Sequence, residues 1–180
     1  MERIVEFAHN LLLKKVKKDD ICVDMTAGNG KDTLFLCNLS KFVYAFDIQQ
    51  IALDNTKMFL EKNNVSNYQL ILSSHEHIDL YVKEKVKAFI YNLGYLPTGD
   101  KNITTMANST ILSIKKALNL LDDKGLVVLV VYPGHETGSI ESELVYNFMS
   151  LLPQKDYEII TYKFINQINN PPYVIALERR

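Results

Sequence analysis

The sequence is short of cysteine, of long apolar runs and of net charge, and each shortage closes off a class of protein. Among 180 residues only Cys22 and Cys37 are cysteine, in different predicted elements and without Cys-x-x-Cys spacing. Neither a disulfide framework nor a thiolate metal site is indicated, and both read as buried free thiols. The four histidines (His9, His75, His77 and His135) are scattered, and the His75/His77 pair has no third ligand nearby, so no metal is expected. No apolar stretch reaches bilayer-spanning length. The N-terminal "MERIVEFAHNLLLKKVKKDD" carries charge throughout and lacks a small-residue cleavage site, so a cytoplasmic protein without membrane attachment is expected. A formal net charge of −1 does not advertise a nucleic-acid partner. The lysine runs at 14–18 and 83–87 read first as solvated helix faces. Repeats and low-complexity linkers are missing too, so residues 1–180 read as one domain.

What the chain does have is alternation. Residues 2–17 place Ile4, Val5, Ala8, Leu11, Leu12 and Val16 at helical spacing. Apolar runs at 21–26, 42–48, 68–74, 87–95 and 125–132 then read as five strands. Helical segments follow them, including one at roughly 76–84 and one at about 105–121. The end differs: "YEIITYKFI" and "YVIALER" are joined by "NQINNPP", too short for a crossover, which requires an antiparallel hairpin. The expectation is an α/β fold with a mostly parallel seven-stranded sheet, helices on both faces and a C-terminal antiparallel hairpin. Ligands of such sheets bind outside the carboxyl ends of the strands, so chemistry belongs in the loops there.

The first of those loops is "VDMTAGNGKDT". Asp24 ends the strand, and Gly28 and Gly30 let the backbone turn closely beside a ligand. It resembles the nucleotide-binding motif Asp/Glu-x-Gly-x-Gly-x-Gly of class I S-adenosylmethionine methyltransferases, with Thr26 at the first glycine. A dinucleotide fingerprint would need a small residue where Thr33 stands, and a nicotinamide enzyme would need a substrate domain. Asp47 follows the second strand one βαβ step later, placed to accept from ribose hydroxyls or to cap a helix. After the third strand, Ser74 and His75 lie where methyltransferases contact the adenine edge.

The fourth loop, "NLGYLPTGDK", has the spacing of an amine-methyltransferase motif. The side-chain oxygen of Asn92 and the carbonyl of Leu93 are placed to accept amine N–H groups and aim the nitrogen lone pair. Tyr95 is placed to stack on a flat base, and Gly94 and Pro97 to border the substrate. After the fifth strand, Tyr132 and His135 reach the same edge, His135 as a candidate proton acceptor. Asn170-Pro171-Pro172-Tyr173 copies the amine motif literally but sits in the closing hairpin. It reads as a stiff wall beside the cleft, with Asn170 facing RNA.

Four segments, "DMTAGNGKDT", "NLGYLPTGDK", "YPGHETGSIE" and "NQINNPP", occur in one order across the chain, and together they resemble the small bacterial family labelled rRNA methylases. Members are associated with methylation of the aminomethyl group of 5-aminomethyl-2-thiouridine at tRNA position 34. The resemblance implies S-adenosylmethionine as cofactor, bound by Asn29, Asp32, Thr33, Asp47, Gln49, Ser74 and His75. It implies a transfer site of Asn92, Gly94, Tyr95, Tyr132 and His135, with the tRNA anticodon stem-loop as partner. With so little positive charge, the grip on RNA would have to come from a local patch, tyrosine stacking or a second subunit in a homodimer. The residues themselves reach only an amine methyltransferase acting on a planar substrate, leaving rRNA or a small-molecule amine open.

Overall fold

The computed structural model describes residues 1–94, 105–134 and 136–180. Helix α1 (Ile4–Lys15) precedes β1 (Ile21–Asp24), α2 (Lys31–Leu39), β2 (Phe42–Asp47), α3 (Gln50–Lys62) and β3 (Tyr68–Leu72). A 3₁₀ turn at His75–His77 then leads into α4 (Ile78–Tyr81), β4 (Val86–Leu93), α5 (Ala107–Leu120), β5 (Leu121–Val131), α6 (Glu136–Ser150), β6 (Tyr157–Tyr162) and β7 (Tyr173–Arg179). Among the described residues, no helix is long and apolar enough to cross a membrane.

The seven strands form one sheet in the order β3-β2-β1-β4-β5-β7-β6. The first five are parallel to one another, and β7 lies antiparallel between β5 and β6. The chain walks outward from β1 to β3, then returns to place β4 on the other side of β1. That reversal opens a crevice above Asp24, whose register partners are Ala45 of β2 and Ile90 of β4.

Strand alternation explains the two-sided core. Cys22, Val43, Ala88, Ile90, Val128 and Val174 face α1 and α2, where Ala8, Leu12 and Leu36 are buried with them. Their sequence neighbours Val23, Phe89, Tyr91, Val127, Leu129 and Ile175 point the other way, onto Ile78, Ile114, Ala117, Val145 and Met149. Both cysteines are free and buried, and burial pushes each thiol up to about 12.

Three boundaries differ from the sequence reading. The helix expected at 76–84 is a 3₁₀ turn plus one helical turn, with Leu80 and Tyr81 left exposed. Strand β5 starts at Leu121, but the register slips between Val86/Leu121 and Ala88/Leu126, as Lys124 adopts a φ of 53° ahead of Gly125. Strand β6 ends at Tyr162. Because β6 runs antiparallel to β7, it shares the direction of β5, and the 163–172 connection emerges at the carboxyl edge. Asn169 and Asn170 turn it with φ of 63° and 46°, a region asparagine tolerates.

Strand β7 is tied to α5 by Arg179, whose guanidinium donates to the carbonyls of Leu118 and Leu121, each at 2.6 Å. These carbonyls end α5 and lack helical donors. Arg179→Met should therefore cost about 2 kcal/mol in urea unfolding, the scale of charge-assisted hydrogen bonds. The denaturant slope and cofactor affinity should stay unchanged.

Candidate active site

The loop after β1 is fastened from below. Asp24 is fully buried; its Oδ1 accepts from the Thr26 amide at 3.1 Å and its Oδ2 from the Thr33 hydroxyl at 2.6 Å. Neighbouring strands hold the loop through Met25 N–H to Ile90 O and Ala27 N–H to Phe46 O. Gly28 and Gly30 take φ of 54° and 77°. A Cβ on Gly30 would sit 3.0 Å from Thr56 Cγ2 and 3.1 Å from Thr56 Cα, so the turn admits only glycine. Thr26, the departure from the glycine motif, has a function here: its Oγ1 accepts the Asn92 backbone N–H at 2.7 Å.

Above this loop lies a cleft of about 870 Å³ along the carboxyl ends of the strands. On one side stands Asp47, accepting from the N–H of Gly28 at 3.0 Å and of Gln49 at 2.9 Å. Ser74 and His75 follow, and His75 is buried with its Nδ1 lacking a hydrogen-bond partner among the described residues. Burial lowers the imidazole to about 4, against a smaller upward pull from Glu76, so it is neutral at physiological pH.

On the other side Asn92 Nδ2 donates to Asp32 Oδ2 at 2.5 Å, while Asp32 Oδ1 meets His9 Nε2 at 2.6 Å. A carboxylate only accepts, so the amide nitrogen of Asn92 faces Asp32. The amide oxygen is thereby left without a partner among the described residues. Gly94 accepts from the Thr105 N–H at 3.1 Å, and Thr105 Oγ1 donates to buried Glu141 at 2.5 Å. Tyr132 completes the wall; burial and then the charge of Asp32 raise its phenol. Asn170, Pro171 and Pro172 close the rim from the hairpin.

The structure thus brings Thr26, Gly28, Asn29, Asp32, Asp47, Gln49, Ser74, His75, Asn92, Gly94, Tyr132 and Asn170 onto one cleft. Three expected contacts are displaced: Asp24, Gly30 and Thr33 are buried behind the loop, where they shape it. The Leu93 side chain lies in the core, whereas the expectation there concerned its backbone carbonyl. Tyr95, Pro97 and His135 lie outside the described residues. Sequence reasoning missed Val5, Lys31, Met106 and Ser109 on the walls, and His9 behind Asp32. The Val5/His9 pair, one helical turn apart on α1, was the only local signal.

The cleft fits a positively charged nucleoside. The charges of Asp32 and Asp47 both raise buried Asp24, so three acidic groups crowd around the loop, and the two that line the cleft provide a field that suits a sulfonium. Asp47 offers acceptors for hydroxyls, and the orphaned His75 Nδ1 awaits a polar ligand atom. Sheet order and cleft define an S-adenosylmethionine-dependent methyltransferase of class I fold, and the solved relatives agree. Residues 43–178 match the family model described as Putative rRNA methylase, and the chain belongs to that family. A putative methyltransferase from Streptococcus mutans, solved in complex with SAH, shares 40% identity and a TM-score of 0.95, covering 100% of this chain and 99% of that one. A putative rRNA-methylase from Clostridium thermocellum shares 37% identity and a TM-score of 0.97 over 100% and 99%. The tRNA (mnm(5)s(2)U34)-methyltransferase, chloroplastic, of Arabidopsis thaliana is 33% identical over 99% of this chain and 70% of its own.

Burial first, and the charge of Asp32 second, push Asp24 from 3.8 up to about 7. The folded chain therefore keeps a proton that the unfolded chain loses as pH rises through that window, and stability falls with rising pH. An asparagine at this position can accept from Thr26 and donate to the Thr33 oxygen. Urea unfolding of Asp24→Asn should gain on wild type as pH rises from about 4 to about 7, by at most ~1.4 kcal/mol per unit. The opposing contribution of neutral His75 is common to both proteins and cancels.

Proposed function

We propose that this chain methylates the aminomethyl nitrogen of 5-aminomethyl-2-thiouridine at position 34 of tRNA, giving the 5-methylaminomethyl product. The observation that carries the reading is the amide of Asn92 on the cleft wall, whose nitrogen is taken up by Asp32 and whose oxygen has no partner among the described residues. The name of the Arabidopsis relative, aligned over nearly the whole chain, supplies the substrate. The cytoplasmic tRNA pool is the inferred source of that substrate, its anticodon stem-loop meeting the cleft.

In this reading Asp47 accepts from the ribose hydroxyls, while Gly28 and Asn29 let the backbone lie close to the nucleoside. Gln49, Ser74 and the neutral His75 meet the adenine edge. When bound, S-adenosylmethionine supplies a methyl group already activated by its positive sulfur. The chain's own task is to deliver a neutral amine in line with that methyl. A primary alkylamine is mostly protonated at neutral pH. Enclosure between Tyr132 and the Asn170-Pro171-Pro172 rim removes water and favours the neutral form. Asn92 Oδ1 then accepts one amine N–H, which leaves the lone pair pointed across the cleft. The exposed side chains of Ile165 and Ile168 on the same hairpin connection offer an apolar surface to unstacked bases.

Nucleoside mass spectrometry of tRNA from a strain lacking the protein should show 5-aminomethyl-2-thiouridine accumulating. An unchanged profile would return the substrate to rRNA or a small amine. With the purified enzyme, Asn92→Ala should lower kcat on this tRNA about 10²-fold, the usual penalty for a misplaced reactant. Affinity for S-adenosylhomocysteine, measured by titration calorimetry, should hold.

A further inference from the structure

We propose that His9 is a positioning residue for methyl transfer, holding Asp32 so that the Asn92 amide can present only its oxygen to the substrate nitrogen. The inference rests on the reading of Asn92 as the amine acceptor. It adds a residue on α1, an element outside the strand-end loops where chemistry was sought.

Three parts of the chain meet at one carboxylate. Asp32 sits in the first turn of α2, where the helix dipole favours negative charge. His9 stacks flat on Phe35, one turn further along α2, with ring centroids 3.9 Å apart and planes 7° apart. The stack fixes the imidazole edge-on to Asp32, with Nε2 2.6 Å from Oδ1. The other carboxylate oxygen takes the Asn92 amide. Both side chains of the hydrogen-bonded pair are mostly covered, at 25% and 15% exposure, so the contact is shielded from competing water.

The reason such a brace is needed lies in the symmetry of an amide. Asparagine presents a donor or an acceptor depending on a half-turn of its terminal torsion. Facing an acceptor-only partner, it must turn its NH₂ inward and its oxygen outward. Facing a carboxyl that donates, it turns the other way and would offer the amine a repelling N–H. An N–H donor on Oδ1 keeps Asp32 an acceptor on Oδ2. His9 thus acts on the substrate through two other side chains without lining the cleft.

The test uses two variants of the full chain. His9→Phe keeps the ring on Phe35 but removes the donor; His9→Gln loses the ring but keeps an N–H at similar reach. On tRNA carrying 5-aminomethyl-2-thiouridine, His9→Phe should lower kcat at least about tenfold, with KM and the Kd for S-adenosylhomocysteine changed less than about threefold. His9→Gln should recover most of the rate. The ¹⁵N side-chain amide signals of Asn92, identified by their loss in Asn92→Ala, should shift and exchange faster with solvent in His9→Phe. Wild-type kcat in His9→Phe, a fall in rate matched by lost cofactor binding, or a His9→Gln variant no better than His9→Phe would each overturn the proposal. If wild type transfers no methyl to this RNA, the substrate reading fails on its own. The Asn92 amide signals then decide the role of His9: shifted in His9→Phe they support it, unmoved they overturn it.

Discussion

The cleft depends on β1 and β4 lying side by side, with the Asn92 backbone N–H bonded to Thr26 Oγ1 at 2.7 Å. That single bond joins the loop that shapes the cofactor site to the loop that would hold the amine, across 66 positions of sequence. It exists because the sheet reverses its order there, sending β2 and β3 to one side and β4 and β5 to the other. A glycine at position 26 would fit the general motif yet leave Asn92 without this acceptor. The departure from the general class I motif is therefore part of how the two loops are kept in register.

Electrostatics builds on that frame. Asp24, Asp32 and Asp47 are carried to one place by the start of one helix and the ends of two strands, and each has a different duty. Asp24 is fully buried and bonds to Thr26 of its own loop and to Thr33 of α2. Asp47 bridges the β1 and β2 loops while lining the cleft. Asp32 links α1 to β4. Their mutual repulsion is a standing cost, relieved when a cationic sulfur enters. The same negative field that attracts the cofactor would keep an ammonium protonated, which is why enclosure and an oriented acceptor matter more than added charge.

Much of this was legible in the sequence. Parallel strands buried on both faces are continuous apolar runs, so β1, β2, β4 and β5 announce themselves, and turn residues after each run mark the ligand edge. Asp47, Ser74 and Asn92 followed from that edge. The proline tetrapeptide at 170–173 lies where β7 begins and its connection ends, not in the loop after β4, and it rims the cleft from that side. Other features were hidden for physical reasons. Spacing shows that Asp24 belongs to the motif but not that it faces inward. His9 falls beside the buried stripe of α1, and its partner is 23 residues away, so helical periodicity has nothing to say about it. The helix after β3 was overestimated because Leu80, Tyr81 and Val82 look like an apolar stripe, while only Val82 and the preceding Ile78 are buried.

The central claim is geometric: a uridine-borne amine is held by Asn92 Oδ1 in line with the methyl group of the cofactor. A crystal structure with S-adenosylhomocysteine and an anticodon stem-loop carrying 5-aminomethyl-2-thiouridine tests it most directly. The account predicts the aminomethyl nitrogen about 2.6–3.2 Å from Asn92 Oδ1, on the open side of the sulfur. An aminomethyl group bound elsewhere, or an Asn92 amide turned with its nitrogen toward the substrate, would contradict it.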